Sequence, residues 1–227
     1  MPWRDWIRTV EVEPSLYAAD FANLGSQCET LLHAGARVFH YDIGDGHFVE
    51  PITIGPIVLQ AISPLVHRLG GVVDCHLMVE NPSKYFGAIA HAGGDSVTFH
   101  YEAVRDVRGV VQAAREHELE VGLAFKPGTR VEDAVAAGAR ADVDVLLCMS
   151  IEPGYSGQEF LEGSLERIAW TRENAPPHVH VQVDGGINEE NVRAAHDAGA
   201  SLLVSASAIF SREDLPRAYR RLVQALA

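Results

Sequence analysis

Cysteine is scarce in this sequence. The 227 residues include three cysteines, Cys28, Cys75 and Cys148, and no two of them have the spacing of a Cys-x-x-Cys motif. An odd number of widely spaced cysteines argues against a disulfide framework and against a zinc site built from thiolates. This usage is typical of a protein that works in a reducing compartment.

Basic residues are also few. Lysine and arginine together number 18 against 31 aspartates and glutamates, which gives a formal net charge of −13. A chain of this charge repels nucleic acids and anionic lipids, and it has no basic cluster that would reverse the effect. We therefore expect neither a nucleic-acid nor a membrane partner. An anionic small molecule would have to be held by backbone N–H groups, helix N-termini or a metal ion.

Long hydrophobic runs are absent as well. No stretch of 18 apolar residues occurs, and residues 1–10 lack the apolar segment of a secretory signal. Hydrophobic residues make up 47% of the chain and charged residues 22%, which is the composition of a folded globular protein. The expected location is the cytoplasm.

Four similar segments punctuate the chain, each with a glycine at its end and a strand-like run after it. The glycines are Gly35, Gly93, Gly138 and Gly199, which we interpret as helix C-caps. Their spacing leaves room for two strand-helix units between successive glycines, so the pattern predicts eight strands. The predicted strands cover residues 10–16, 37–42, 71–76, 95–100, 120–125, 143–149, 178–184 and 201–205.

Strands that alternate with helices predict an α/β fold with a parallel sheet. Eight units in a chain of this length close most economically into a single-domain (β/α)₈ barrel. An open, doubly wound sheet is the alternative, although no GxGxxG motif follows the first strand. The predicted division is an N-terminal extension at 1–9, a barrel core at 10–210 and a C-terminal helix at 211–227.

Ionisable side chains cluster at predicted strand ends, which in a barrel meet at one face. Because side chains alternate along a strand, His40 shares a face with Asp42, and Asp74 shares one with His76. Buried charges are costly unless they are paired or bound to metal. His40, Asp42, His76 and Asp184 therefore form a candidate site for one divalent transition metal, Zn²⁺, Fe²⁺, Mn²⁺ or Co²⁺. Histidines that are simply hydrogen-bonded in the core are the alternative.

Glycine-rich loops follow the last three predicted strands, at residues 152–158, 184–186 and 206–207. Loops at this position of a barrel often hold phosphate through backbone N–H groups, whereas each loop taken alone is equally consistent with a simple turn. Three such loops on one face favour a phosphorylated substrate. His100 and Lys126, at two other strand ends, are further candidates for substrate contact.

The sequence resembles the ribulose-phosphate 3-epimerase family from about residue 11 to residue 210. The motifs that carry the resemblance are Pro14-Ser15-Leu16, His40-Tyr41-Asp42-Ile43-Gly44-Asp45-Gly46-His47-Phe48, Asp74-Cys75-His76-Leu77-Met78-Val79, Thr98-Phe99-His100, Met149-Ser150-Ile151-Glu152-Pro153-Gly154, Val183-Asp184-Gly185-Gly186 and Ser207-Ala208-Ile209-Phe210. The family implies a metal-dependent barrel that interconverts D-ribulose 5-phosphate and D-xylulose 5-phosphate, usually as a dimer or hexamer.

The resemblance also implies roles for individual residues. Asp42 and Asp184 match the family's acid/base pair, which moves a proton at C3 through a metal-stabilised enediolate, and they join His40 and His76 as metal ligands. Inversion requires a base on one face of the carbon and an acid on the other, so two carboxylates are needed. The implied substrate-binding residues are Ser15, His76, Met78, Met149, Gly154, Tyr155, Ser156, Gly157, Gly185, Gly186, Ala206 and Ser207.

Three positions depart from the family's pattern. Gly44 stands where the family has methionine, which predicts a wider pocket beside the reacting carbons. Ser156 and Ala206 stand where the family has glycine, which predicts a strained positive φ or looser phosphate binding. These departures leave open a 3-epimerase of a larger sugar such as D-allulose 6-phosphate, a metal-dependent aldolase and a non-catalytic relative that binds sugar phosphates.

Overall fold

The computed structural model describes residues 3–6 and 9–226. Within these residues, eight strands form one parallel sheet, which confirms the predicted α/β barrel. The strands are β1 (Glu11–Pro14), β2 (Val38–Gly44), β3 (Val72–Met78), β4 (Ser96–His100), β5 (Glu120–Phe125), β6 (Val145–Met149), β7 (His180–Asp184) and β8 (Leu202–Ser205).

Strand register brings the predicted site residues side by side. The sheet runs in the order β1-β8-β7-β6-β5-β4-β3-β2, and a parallel bridge between Ser15 and His40 joins its two edges into a barrel. Asp42 on β2 is the register partner of His76 on β3. The sheet therefore carries Ser15, Asp42 and His76 to the same end of the barrel.

Helices alternate with the strands and cover the outside of the barrel. They are α1 (Trp3–Trp6), α2 (Leu24–Ala34), α3 (Pro56–Arg68), α4 (Phe86–His91), α5 (Val107–Arg115), α6 (Val131–Ala141), α7 (Ser164–Asn174), α8 (Val192–Asp197), α9 (Ser207–Phe210) and α10 (Leu215–Ala225). The described chain has no helix of the length and hydropathy needed to cross a bilayer.

One of the four predicted helix caps is wrong. Gly35, Gly93 and Gly199 adopt positive φ where their helices end, as predicted. Gly138, however, lies inside α6, which ends at Asp142 with a φ of 60°. A Cβ at Gly138 would lie 2.8 Å from Leu146 Cδ2, so this glycine permits close packing of the helix on β6. Aspartate can end the helix because it tolerates the left-handed conformation better than most residues.

The hydrophobic core lies between the strands and the helices. Val181 and Val183 of β7 are buried in this shell, whereas Gln182 between them is equally buried and contacts polar groups inside the barrel. This alternation follows from the period of two along a strand. The consequence is an apolar outer core around an interior rich in polar and charged side chains.

The amino end of the barrel is closed by tryptophans. Trp3 and Trp6 of α1 are each 2% exposed and share a cluster with Val38, Val145 and Leu202, the first residues of three strands. Residues 1, 2, 7 and 8 of the predicted N-terminal extension lie outside the described residues, as does residue 227 of the predicted C-terminal segment. With this end covered, the functional groups gather at the carboxyl ends of the strands.

Candidate active site

A cavity of about 520 Å³ opens at the carboxyl end of the barrel. Eleven of the twelve predicted substrate-binding residues line it; the exception is His76, which is fully buried and does not line the cavity. Five lining residues were not predicted from the sequence: Tyr17, Ile151, Pro153, Ile187 and Val204. Four of these five carry no chemistry that a sequence motif would single out. The cavity walls thus combine the predicted glycine loops with apolar side chains.

The four predicted metal ligands meet at the side of this cavity. Ligand atoms of His40, Asp42, His76 and Asp184 all lie within 4.8 Å of one another. His40 Nε2 is 3.3 Å from Asp42 Oδ1 and 3.9 Å from Asp184 Oδ2. His76 Nδ1 is 3.0 Å from Asp42 Oδ1 and 3.8 Å from Asp184 Oδ2. The two imidazoles therefore present opposite ring nitrogens to the same pair of carboxylates.

The charges and free valences of this cluster suit a cation. His40 is fully buried, and neither of its ring nitrogens has a hydrogen-bond partner among the described residues. Burial lowers the pKa of His40, but Asp42, Asp74 and Asp184 outweigh it and raise that pKa well above its usual value. Two imidazoles with two carboxylates form a donor set that fits Zn²⁺, Fe²⁺, Mn²⁺ or Co²⁺.

A second polar layer, which sequence analysis did not predict as a site, lies on the other side of His40. Gln182 Nε2 donates to Glu13 Oε2 at 2.6 Å and to Asp74 Oδ2 at 2.9 Å. Asp74 Oδ2 is also 3.3 Å from His40 Nδ1. Burial and the charge of Asp74 raise the pKa of Glu13 well above its usual value. The signal in the sequence was the inward face that Asp74 shares with His76, but only strand register brings Glu13 and Gln182 to it.

Asp42 and Asp184 have opposite electrostatic environments. Burial pushes the pKa of Asp42 upward, but His40 and His76 hold it well below its usual value. Ser15 Oγ also donates to Asp42 Oδ2 at 2.7 Å. Burial raises the pKa of Asp184 to about 6, and the Asp42 charge adds to this shift. Paired groups whose pKa values are driven apart are typical of an acid/base pair.

A chain of hydrogen-bonding groups extends from His76 away from the cavity. His76 Nε2 is 2.9 Å from His100 Nε2, and His100 Nδ1 is 3.2 Å from Glu102 Oε2. Burial lowers the pKa of His100 to about 4. Burial pushes the pKa of Glu102 upward, but hydrogen bonds from His100 and Thr129 lower it to about 2. Neither His100 nor Lys126 lines the cavity, so the structure does not bring these two candidates to the substrate.

The glycine loops reach the cavity without the predicted strain. Gly154, Gly157, Gly185 and Gly186 adopt positive φ, which glycine tolerates without steric cost. Neither Tyr155 nor Ser156 has a positive φ, and Ala206 has a φ of −107°. Side chains at these three positions are therefore compatible with the backbone of the loops.

The loop after β6 is tied to neighbouring loops. Tyr155 donates from its hydroxyl to Glu50 Oε2 at 2.8 Å, and the Tyr17 hydroxyl donates to the carbonyl oxygen of Gly154 at 3.2 Å. The Gly154 backbone also lies against Val49, because a Cβ added to this glycine would be 3.2 Å from Val49 Cβ. These contacts hold the loop over the cavity.

The prediction that Gly44 widens the pocket is wrong. A Cβ at this position would lie 2.9 Å from the carbonyl oxygen of Pro51, 3.0 Å from Val49 Cγ2 and 3.2 Å from Thr53 Cγ2. The Gly44 N–H also donates to Thr53 Oγ1 at 2.7 Å. The loop after β2 thus fills the space that a side chain at Gly44 would take, and Gly44 does not line the cavity.

We expect Gly44→Ala to destabilise the chain by about 1–3 kcal/mol, because the added methyl group must displace a packed loop. Chemical denaturation of the variant and the wild type measures this difference. Gly128→Ala is the matched control, since a Cβ there meets nothing within 4 Å. Equal stability of the Gly44 variant and this control would show that the space beside Gly44 is open.

Comparison with known proteins agrees with this site. The model of the ribulose-phosphate 3 epimerase family matches residues 11–210. The ribulose-phosphate 3-epimerase of Candida glabrata is 38% identical over 216 residues, covering 89% of this chain and 87% of the relative. That of Bacillus subtilis is 35% identical over 213 residues, covering 92% and 96%. The rice relative, at 36% identity over 88% of this chain and 87% of its own length, is a cytoplasmic isoform.

Solved structures share the fold at low sequence identity. KGPDC from Streptococcus mutans, solved in complex with a sugar phosphate, superposes with a TM-score of 0.75 and 13% identity, covering 96% of this chain and 97% of that one. The 3-hexulose-6-phosphate synthase of Salmonella typhimurium gives a TM-score of 0.73 and 16% identity over 95% and 98%. At these identities the comparison shows the barrel fold alone.

Proposed function

This chain belongs to the ribulose-phosphate 3-epimerase family, and from that premise we propose that it interconverts D-ribulose 5-phosphate and D-xylulose 5-phosphate. The observation that carries the proposal is the placement of Asp42 and Asp184 in one cavity whose other wall consists of glycine loops. Such a cavity offers acid/base groups to one end of a sugar phosphate and backbone to the other.

Asp42 and Asp184 are the proposed catalytic residues. Inversion of C3 requires removal of a proton from one face and delivery of a proton to the other. The two carboxylates come from β2 and β7, and both line the cavity. The low pKa of Asp42 favours its role as the base, and the raised pKa of Asp184 favours its role as the acid in the same direction of turnover. The roles exchange in the reverse reaction.

His40, Asp42, His76 and Asp184 would hold a divalent transition metal. When bound, such an ion polarises the ketone and offsets the negative charge of the deprotonated sugar. The orphaned nitrogens of His40 support this assignment, because a buried imidazole without a partner is costly. Asp74, on the far side of that ring, would orient it, as carboxylates next to ligating histidines commonly do.

The phosphate group of the substrate is proposed to bind at the opposite wall. Gly154, Gly157, Gly185 and Gly186 allow the backbone to approach an anion closely. Ser207 lines the same wall. A backbone site is also required by the charge of −13, which gives the protein no general attraction for phosphate. The neighbouring fold solved with a sugar phosphate is consistent with a ligand of this class in such a cavity.

The activity test follows purified protein with D-ribulose 5-phosphate by NMR. We expect D-xylulose 5-phosphate as the sole product. D-Allulose 6-phosphate is tested in parallel, and we expect slower conversion because Gly44 leaves no extra space. Cleavage into an aldehyde and a shorter fragment would identify an aldolase instead. Binding without conversion of either sugar would make the chain a non-catalytic member of its family.

Ser15 is predicted to tune Asp42. Ser15→Ala removes a hydrogen bond to a carboxylate, worth about 1.5–3 kcal/mol, so kcat should fall by about 10- to 150-fold. The kcat of the variant, measured beside Ser26→Ala, tests this. Ser26 donates from its hydroxyl to the backbone of Asn23 on the exposed surface, away from the cavity. A kcat equal to that of the control would exclude a role for the Ser15 hydroxyl.

A further inference from the structure

We infer that His100 and Glu102 form a positioning relay that directs the unprotonated Nδ1 of His76 toward the proposed cation site. This inference rests on the metal site proposed above and extends it to two residues outside the cavity. Neither residue lines the cavity, so any effect they have must pass through His76.

The first step is the contact between two imidazoles. His76 Nε2 and His100 Nε2 lie 2.9 Å apart, and both rings are fully buried. At this distance one nitrogen must donate and the other must accept, because two N–H groups would repel and two lone pairs would leave both unsatisfied. The direction of this hydrogen bond decides which nitrogen of His76 carries a proton.

Glu102 sets that direction. Its Oε1 accepts from the backbone N–H of Lys126 at 2.8 Å and from the Thr129 hydroxyl. Its Oε2 faces His100 Nδ1 at 3.2 Å. A carboxylate only accepts, so His100 Nδ1 must donate to it, and His100 Nε2 is left as the acceptor.

The consequence reaches the cation site. With His100 Nε2 as acceptor, His76 Nε2 must donate, which leaves its Nδ1 as the nitrogen available for a metal. This Nδ1 is the atom that faces Asp42 and Asp184. The carboxylate, the two imidazoles and the cation site thus form one directed chain of hydrogen bonds.

The surroundings of the relay keep water out of it. The ring of Phe48 packs on His100 with centroids 4.7 Å apart, and Lys126 Nζ lies 4.1 Å from the Phe48 ring centroid. His100 has no exposed surface on which water would replace Glu102. The tautomer of His100 therefore depends on Glu102.

Glu102→Gln reverses the relay with almost no change of shape. The backbone N–H of Lys126 can only donate, so it holds the amide oxygen at the Oε1 position and turns the amide N–H₂ toward His100 Nδ1. His100 must then accept at Nδ1 and donate from Nε2, and His76 must carry its proton on Nδ1. Protonated Nδ1 cannot ligate a metal.

Zinc affinity and histidine tautomers test the relay. We expect Glu102→Gln to weaken Zn²⁺ binding by about 10- to 100-fold, measured by competition with a chromophoric chelator. ¹⁵N NMR should show His100 protonated at Nδ1 in the wild type and at Nε2 in the variant. Glu132→Gln is the control, because Glu132 is an exposed carboxylate in the first turn of α6. Its zinc affinity should equal that of the wild type.

The outcomes separate this inference from the metal proposal. Zinc affinity of Glu102→Gln equal to that of the control, or a wild-type His100 protonated at Nε2, would overturn the relay. A wild-type chain with the predicted His100 tautomer that takes up no Zn²⁺ would instead overturn the proposed metal site. Equal melting temperatures of the metal-free proteins would show that the variant folds normally.

Discussion

Replacing Asp184 by asparagine should lower the rate of epimerisation by about 10²- to 10⁴-fold, the range expected for loss of a general acid or base. Solvent-deuterium exchange at C3 should persist for one substrate epimer, the one whose C3 proton faces Asp42. Asp42→Asn should give the mirror result, with exchange from the other epimer. The physical reason is that one carboxylate reaches one face of the carbon, so each variant keeps half of the reaction.

Two further variants make this prediction specific. His40→Gln removes a proposed ligand and leaves both carboxylates, so it should slow exchange from both epimers alike. Asp142→Asn is the matched control, because Asp142 ends α6 at a positive φ that asparagine also tolerates. Its kcat should equal that of the wild type. Equal loss of exchange from both epimers in Asp184→Asn, with metal content retained, would contradict the two-base assignment.

Removal of divalent metal should have the second large effect. We expect a strong chelator to lower turnover by at least about 10²-fold, since a bound ion contributes several kcal/mol to charge stabilisation. Addition of Zn²⁺, Fe²⁺, Mn²⁺ or Co²⁺ should restore it, whereas Ca²⁺ should not, because imidazole ligands disfavour it. The measurement is turnover of the chelator-treated protein after each addition.

Metal should also raise the melting temperature. Ligand at about 1,000 times its Kd stabilises the folded state by about 4 kcal/mol, which corresponds to roughly 8–16 °C for a chain of this size. The expected stabilisation follows from the uncompensated carboxylates around His40. His40→Gln should lose most of this shift. An unchanged melting temperature and full activity after chelation would show that the cluster does not need a cation.

The sequence predicted the barrel and its principal site because both follow from short-range patterns. Glycines after helices marked the units of the fold, and the period of two placed His40 beside Asp42 on one inward face. The parallel register then brought His76 to Asp42, as expected where strand ends meet. Motif resemblance supplied the loops of the opposite wall, which line the same cavity.

Other features depend on relations that a single sequence does not encode locally. Glu13 and Gln182 meet because β1 and β7 place both side chains inside the closed barrel, although they are far apart in the chain. The space beside Gly44 depends on the path of the loop that contains Pro51. The cap at Asp142 shows the same limit, because Gly138 had the stronger local signal but is needed for packing on β6.

The central claim is that Asp42 and Asp184 invert C3 of a pentose phosphate by proton transfer with the help of a bound metal. Incubation of the purified protein with D-ribulose 5-phosphate in D₂O, with and without chelator, tests it most directly by NMR. The account predicts D-xylulose 5-phosphate that carries deuterium at C3, and almost none when chelator is present. Inversion without uptake of solvent deuterium, or at an unchanged rate in chelator, would contradict it.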